Sequence, residues 1–151
     1  MKPLIGLDLG AKPTAVLAFG TFECPVLLDV KWWPRWDAEG IAAQLKRWRR
    51  SKRGKGARIY CEDTFSGPAW LRDVGRQQEA QAACLQGLMG DVFERVSPVN
   101  AIEASVGWQA FGRPEEGRGA AGEHARDAMG IALKGLIRQS EQTIPAGGIG
   151  R

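Results

Sequence analysis

Residues 4–9 read Leu-Ile-Gly-Leu-Asp-Leu and end at Gly10. A short apolar run closed by a glycine reads as a buried strand. Asp8 lies inside it, where an ionised carboxylate is costly unless it is paired or bound to a cation. Strand alternation puts Ile5, Leu7 and Leu9 on one face and Leu4, Gly6 and Asp8 on the other. The fold must therefore bury this strand and also bring Asp8 a partner.

The remaining elements follow from pattern. Ala15–Phe19 is a second strand, Gly20–Glu23 a turn and Cys24–Trp32 a third strand, spaced as an antiparallel meander. Asp37 caps a helix running to about Arg50, with Ile41, Leu45 and Trp48 on one face. Residues 51–56 (SKRGKG) break it. Ala57–Glu62 is the fourth strand, 70–89 a helix with Leu71, Val74, Ala82, Leu85 and Met89 recurring near helical period, and Asp91–Val96 the fifth strand. Residues 100–122 are ambiguous and read as loop after Phe111. Glu123–Gln139 is a last helix, with Ala128, Ile131, Ala132 and Leu136 inward, and residues 140–151 read as a flexible C-terminal tail. The order β-β-β-α-β-α-β-α predicts a mixed sheet with helices on both faces, a layered α/β domain over residues 1–139.

Length and composition agree. A chain of 151 residues with 44% hydrophobic and 25% charged residues suits one globular domain. No apolar stretch approaches the length of a membrane span, and Asp8 interrupts the N-terminal run, so neither membrane insertion nor a signal peptide is expected. Cys24, Cys61 and Cys84 are odd in number and lack CxxC spacing, which argues against a disulfide framework or zinc cluster and suits reduced thiols in a cytoplasm. His124 is the only histidine, which excludes sites needing two.

Further acids fall where they can join Asp8. Glu62 ends the fourth strand on the Tyr60 face, with Asp63 on the other face as an alternate. His124 and Asp127, three residues apart, share the helix face continued by Ala128 and Ile131, which should pack on the sheet; Glu123 is a nearby competitor. A packed helix would thus bring Asp127 and His124 toward Asp8 and Glu62. Converging carboxylates bind Mg²⁺ or Mn²⁺, and two such ions can clamp an in-line phosphodiester displacement.

The formal net charge of +4 conceals a division. Residues 31–58 hold ten Lys/Arg against two acids, a net +8, while the rest holds 11 cations against 15 acids, a net −4. Lys46, Arg47, Arg49, Arg50, Lys52, Arg53, Lys55 and Arg58 crowd its second half. Such a block favours a polyanion by counterion release, and here would hold a nucleic-acid backbone near the acidic site. Among the tryptophans beside it, Trp48 is expected in the core, and Trp33 or Trp36 is a candidate exposed stacking contact.

Taken together, these motifs resemble the RuvC family of Holliday junction resolvases, within the RNase H-like superfamily. Ile5–Gly10 (IGLDLG) resembles the family's opening strand with its first catalytic Asp, here Asp8. Tyr60–Phe65 (YCEDTF) resembles the second motif, and His124–Ala128 (HARDA) the third. Their order and spacing, over residues 3–138, carry the likeness, and the small size looks like phage-encoded members. The resemblance implies an RNase H-like five-stranded fold, two Mg²⁺ ions held by Asp8, Glu62, His124 and Asp127, and paired cuts in a four-way DNA junction by a homodimer. The helix over 70–89 is the dimer candidate, and Phe65 matches an aromatic that wedges into the opened junction. Family members usually carry lysines between the fifth strand and the last helix, whereas no Lys occurs from 56 to 133 here. Arg113 and Arg118 are candidate substitutes for phosphate contacts, although Arg and Lys are not equivalent. Alternatives are a broader flap or fork nuclease, an RNA nuclease of the superfamily, and a non-catalytic nucleic-acid-binding adaptor with the same fold. A two-domain ATP-binding fold, suggested by Asp8-Leu9-Gly10 after a strand, is not expected at this length.

Overall fold

The computed structural model describes residues 2–63, 72–112 and 120–143. Its elements are β1 (Leu4–Asp8), β2 (Thr14–Gly20), β3 (Pro25–Trp32), α1 (Ala38–Arg50), β4 (Arg58–Glu62), α2 (Arg72–Met89), β5 (Phe93–Val96), α3 (Ala101–Ala110) and α4 (Ala120–Thr143). The five strands form one sheet in the order β3-β2-β1-β4-β5. β1 pairs antiparallel with β2, which pairs antiparallel with β3; β4 runs parallel to β1 and β5 parallel to β4. The expected mixed α/β sheet is therefore present, with β1 at its centre.

Two departures extend the sequence reading. The ambiguous stretch contains a helix, α3, started by a capping box in which Asn100 accepts from the Glu103 amide and the Glu103 carboxylate accepts from the Asn100 amide. The last helix runs on through Thr143, four residues into the segment read as tail.

Alternation along β1 sorts the core into two layers. Ile5, Leu7 and Leu9 pack with Ala15, Leu17, Ile59 and Cys61 against Ile41, Leu45 and Trp48 of α1 and Ala82 and Leu85 of α2. Leu4, with Val16, Ala18 and Tyr60, packs against Ala125, Ala128, Met129, Ile131, Ala132 and Leu136 of α4. Burial of these side chains, each contributing about 1.5–3 kcal/mol for the larger ones, is the main attraction between the layers. Trp48 is in the core as expected, its Nε1 donating to Asp29 Oδ2 at 3.1 Å. Trp33 and Trp36 are half-buried against the α1 layer, and among the described residues the exposed tryptophan is Trp32, at 53%.

Gly6 sets how closely α4 approaches. A Cβ there would collide with Ala128 O and stand 2.8 Å from Ala132 N. The helix backbone thus rests directly on the middle of β1, one residue pair from Asp8.

We expect Gly6→Ala to lift α4 and destabilise the protein by about 1–3 kcal/mol, the usual cost of overpacking. Chemical denaturation checks this; a change under about 0.5 kcal/mol, the range of a neutral surface substitution, would show that α4 is not seated at Gly6.

Candidate active site

Asp8 is the last residue of β1 and only 4% exposed. Glu62 ends β4, one step beyond the registered pair Leu7–Cys61, so the two carboxylates leave neighbouring parallel strands at the same end. α4 passes over that end. It places His124 so that Nδ1 lies 3.2 Å from Asp8 Oδ2, and Asp127 one turn further along the same face. When Asp8 is ionised it is the acceptor, and Nδ1–H of His124 donates to it.

The acids at this end of the sheet feel one another's charge. Burial pushes the Asp8 carboxyl up to about 7; the His124 hydrogen bond opposes the shift, and the charges of Asp127 and Glu62 add to it. Glu62 is raised by burial against the Val99 N–H bond, with Asp127 adding repulsion, and Asp127 is raised by burial against the pull of His124. His124 is held above its ordinary value by its bond to Asp8, with burial opposing. Of the four sequence-predicted residues, Asp8 and His124 are in contact, and Glu62 and Asp127 are near enough for their charges to be felt at Asp8. Of the alternates, Glu123 is exposed and felt at Asp127, while Asp63 is absent from the charges acting on Asp8 and its amide extends the sheet by donating to Val96 O. Phe65, Arg113 and Arg118 lie outside the described residues.

Among the described residues, no three His, Cys, Asp or Glu side chains already form a cage for a metal ion. The donor set still has the chemistry of a hard-cation site. Burial raises the carboxyls of Asp8, Glu62 and Asp127, the charges of Glu62 and Asp127 add to the cost at Asp8, and a divalent cation would relieve both.

Pattern reading missed the groups that fix this arrangement. Buried Gln81 of α2 clamps the backbone just after Asp8, its Oε1 accepting from Gly10 N at 2.8 Å and its Nε2 donating to Gly10 O at 3.0 Å. Gln78 donates to Leu9 O at 3.0 Å. Glu62 Oε2 accepts from Val99 N at 2.7 Å, in the β5–α3 loop. That loop is tied down by Lys134 of α4, whose Nζ donates to Ser97 O, Ser97 Oγ and Pro98 O and pairs with Glu103 at 3.0 Å. The charge of Lys134 also reaches Glu62. A polar residue recurring on an otherwise apolar helix face, as Gln78 and Gln81 do on α2, was the available signal.

The basic block is divided by the topology. Lys31 pairs with Ala15 near the Asp8 end of the sheet, whereas Arg58 pairs with Leu4 at the other end, about 13 Å from Asp8 at strand rise. The 51–57 turn therefore lies at the end of the sheet away from the acids, not beside them as the charge pattern suggested. Three of its members are engaged locally: Arg49 Nε donates to Ala57 O, Arg53 Nη1 to Leu28 O, and Arg58 pairs with Glu94.

Comparison with solved structures now bears on this geometry. The chain superposes on Thermus thermophilus RuvC in complex with a Holliday junction substrate with a TM-score of 0.66 at 16% identity, covering 95% of this chain and 98% of that one. It is also similar to the large terminase nuclease of the thermophilic phage G20c, with a TM-score of 0.54 at 13% identity over 88% of this chain and 81% of that one. No protein-family model and no curated protein sequence matches it. The fold is RNase H-like, as the motifs implied.

Two outcomes are expected. In EDTA the folded Asp8 carboxyl keeps its proton between its ordinary value near 4 and about 7 while the unfolded chain releases it. The stability this confers is complete below pH about 4 and is lost as pH rises through 7. Melting temperature should fall over that window, Asp8→Asn should flatten the fall, and Mg²⁺ at pH 8 should recover it; parallel slopes for the two proteins would contradict the assignment. Lys134→Met should raise the exchange rate of the Val99 amide at least about tenfold by freeing its loop, while core amides of β1 keep their protection.

Proposed function

We propose that the protein is a divalent-metal-dependent endonuclease that resolves four-way DNA junctions by paired phosphodiester hydrolysis. The observation that carries the reading is the Asp8–His124 contact at the end of β1, beside the end of β4 that bears Glu62, with the charges of Glu62 and Asp127 felt at Asp8. Their number and type suit two Mg²⁺ ions, which Mn²⁺ can replace. Support also comes from the likeness to a RuvC whose structure holds a junction.

Asp8, Glu62, Asp127 and His124 are the residues that would hold the ions. Bound there, the ions would generate the attacking hydroxide from water and stabilise the leaving oxygen. The chain's own work is to hold the ligands still. Asp8 is fixed by its strand and by Gln81 behind it, Glu62 is aimed by the Val99 N–H, and His124 orients the Asp8 carboxylate through Nδ1–H. The apolar layer beneath Asp8 keeps water from its inner side and makes the negative site costly until cations are present. A phosphate backbone is repelled by the bare acids and attracted once they are charged with metal.

A two-fold junction needs two such sites, so the active form is taken to be a homodimer. α2 supports this role, because Ala80, Ala83, Cys84 and Gly87 are exposed and leave its outer face low enough for a second helix to approach.

With a labelled four-way junction and Mg²⁺, paired symmetric nicks are expected, and none in EDTA. Asp8→Asn should lower cutting at least about a thousandfold yet bind the junction, because charge stabilisation of this kind supplies several kcal/mol. Cleavage of flaps and forks in preference to junctions would favour the broader branched-DNA nuclease. Tight, salt-sensitive binding with no cleavage of any branched DNA would reassign the chain as an adaptor.

A further inference from the structure

α1 has a second face. Glu39, Ala42, Ala43, Lys46, Arg47 and Arg50 recur at helical spacing, and with Ser51 and Leu88 of α2 they line an open groove of about 700 Å³. Ala42 and Ala43 make its floor low and apolar. Its cations gather at one end, where Arg47 donates to Gln44 and no carboxylate stands within ion-pair range of Lys46 or Arg50 among the described residues. Exposed Lys52 and Lys55 continue the positive strip past the groove onto the turn.

We propose that this groove is a second DNA-docking surface, gripping the backbone of a duplex arm other than the one being cut. The choice of DNA rests on the nuclease reading. The placement rests on the fold alone. The groove lies on the α1–α2 side of the sheet and its cations lie toward the Arg58 end, whereas the acids lie on the α4 side at the Asp8 end. A stretch of DNA seated on the acids therefore reaches the groove only by passing round the sheet, while a branched substrate has further arms to offer. Charge selects the occupant. The strip runs beyond the groove and holds five cations in ten residues (Lys46, Arg47, Arg50, Lys52 and Lys55) that are not committed to the carbonyls and carboxylate engaging Arg49, Arg53 and Arg58. A long polyanion fits such a strip better than a short acidic peptide, which would also meet Glu39.

The test uses the full chain and an unbranched 20-base-pair duplex, with binding measured in EDTA across a salt series. Lys46→Glu/Arg50→Glu should weaken binding at least about tenfold and reduce the salt slope by about two, one per lost phosphate contact. Lys46→Gln/Arg50→Gln, gentler on folding, should move both in the same direction. On a four-way junction with Mg²⁺, both variants should need more protein than the wild type to reach half-maximal cleavage. Unchanged duplex affinity and slope would overturn the proposal. So would a saturated rate that falls in step with affinity, which would put the groove in the catalytic centre. Poly-L-glutamate binding that is lost on charge reversal while duplex binding persists would also overturn it, in favour of an acidic polypeptide. Because binding is read in EDTA, a chain that cuts nothing but loses duplex binding on charge reversal would refute the nuclease reading and leave the groove standing.

Discussion

The seating of α4 on β1 is the contact on which the rest of the molecule depends. Gly6 has no side chain, so the helix backbone comes down onto the central strand at Ala128 and Ala132. That approach does two things at once. It closes the layer of Leu4, Tyr60, Met129 and Leu136, and it carries Asp127 and His124 over the end of the strand where Asp8 emerges. A larger residue at position 6 would raise the helix and separate the acids. Packing and chemistry are therefore one constraint in this fold, because the alternation that buries Leu4 and Gly6 also points Asp8 toward α4.

The acidic site is built under tension. Asp8 is buried among apolar neighbours, and repulsion from Glu62 and Asp127 adds to the cost of its charge, which His124 offsets. Glu62 and Asp127 are raised for the same reason. An arrangement that holds carboxylates together against their own charge has a use for cations of matching hardness. The supports behind it are polar and fully partnered: Gln81 satisfies both backbone groups of Gly10, and Lys134 fixes the loop that offers its amide to Glu62. Such partners hold the ligand side chains from behind, and second-layer contacts of this kind set how well a site binds its ion.

Much of this was legible in the residues. The apolar run Leu4–Leu9 predicted a buried strand with an Asp8 in need of a partner, and the face shared by His124, Asp127, Ala128 and Ile131 predicted the helix that supplies one. Helix α3 was not visible because its apolar residues do not form one stripe: Ile102 is 75% exposed while Ala104 and Trp108 are buried. The capping box at Asn100 and Glu103 was the readable mark of its start. The position of the basic block was not readable either. Sequence places Lys46–Arg58 between two site-bearing strands, but α1 runs back down the sheet, and only the strand register shows that its last turn sits away from Asp8. The cations are consequently split between contacts that fix the turn and a surface facing the other side of the molecule.

The most direct test of the central claim is a crystal structure of the protein grown with Mn²⁺, with the ion located by its anomalous scattering. The account predicts a peak within coordinating distance of the Asp8 carboxylate, shared with Glu62 or Asp127, and no such peak in Asp8→Asn. Strong Mn²⁺ density elsewhere on the molecule, with Asp8 still bound only to His124, would contradict it.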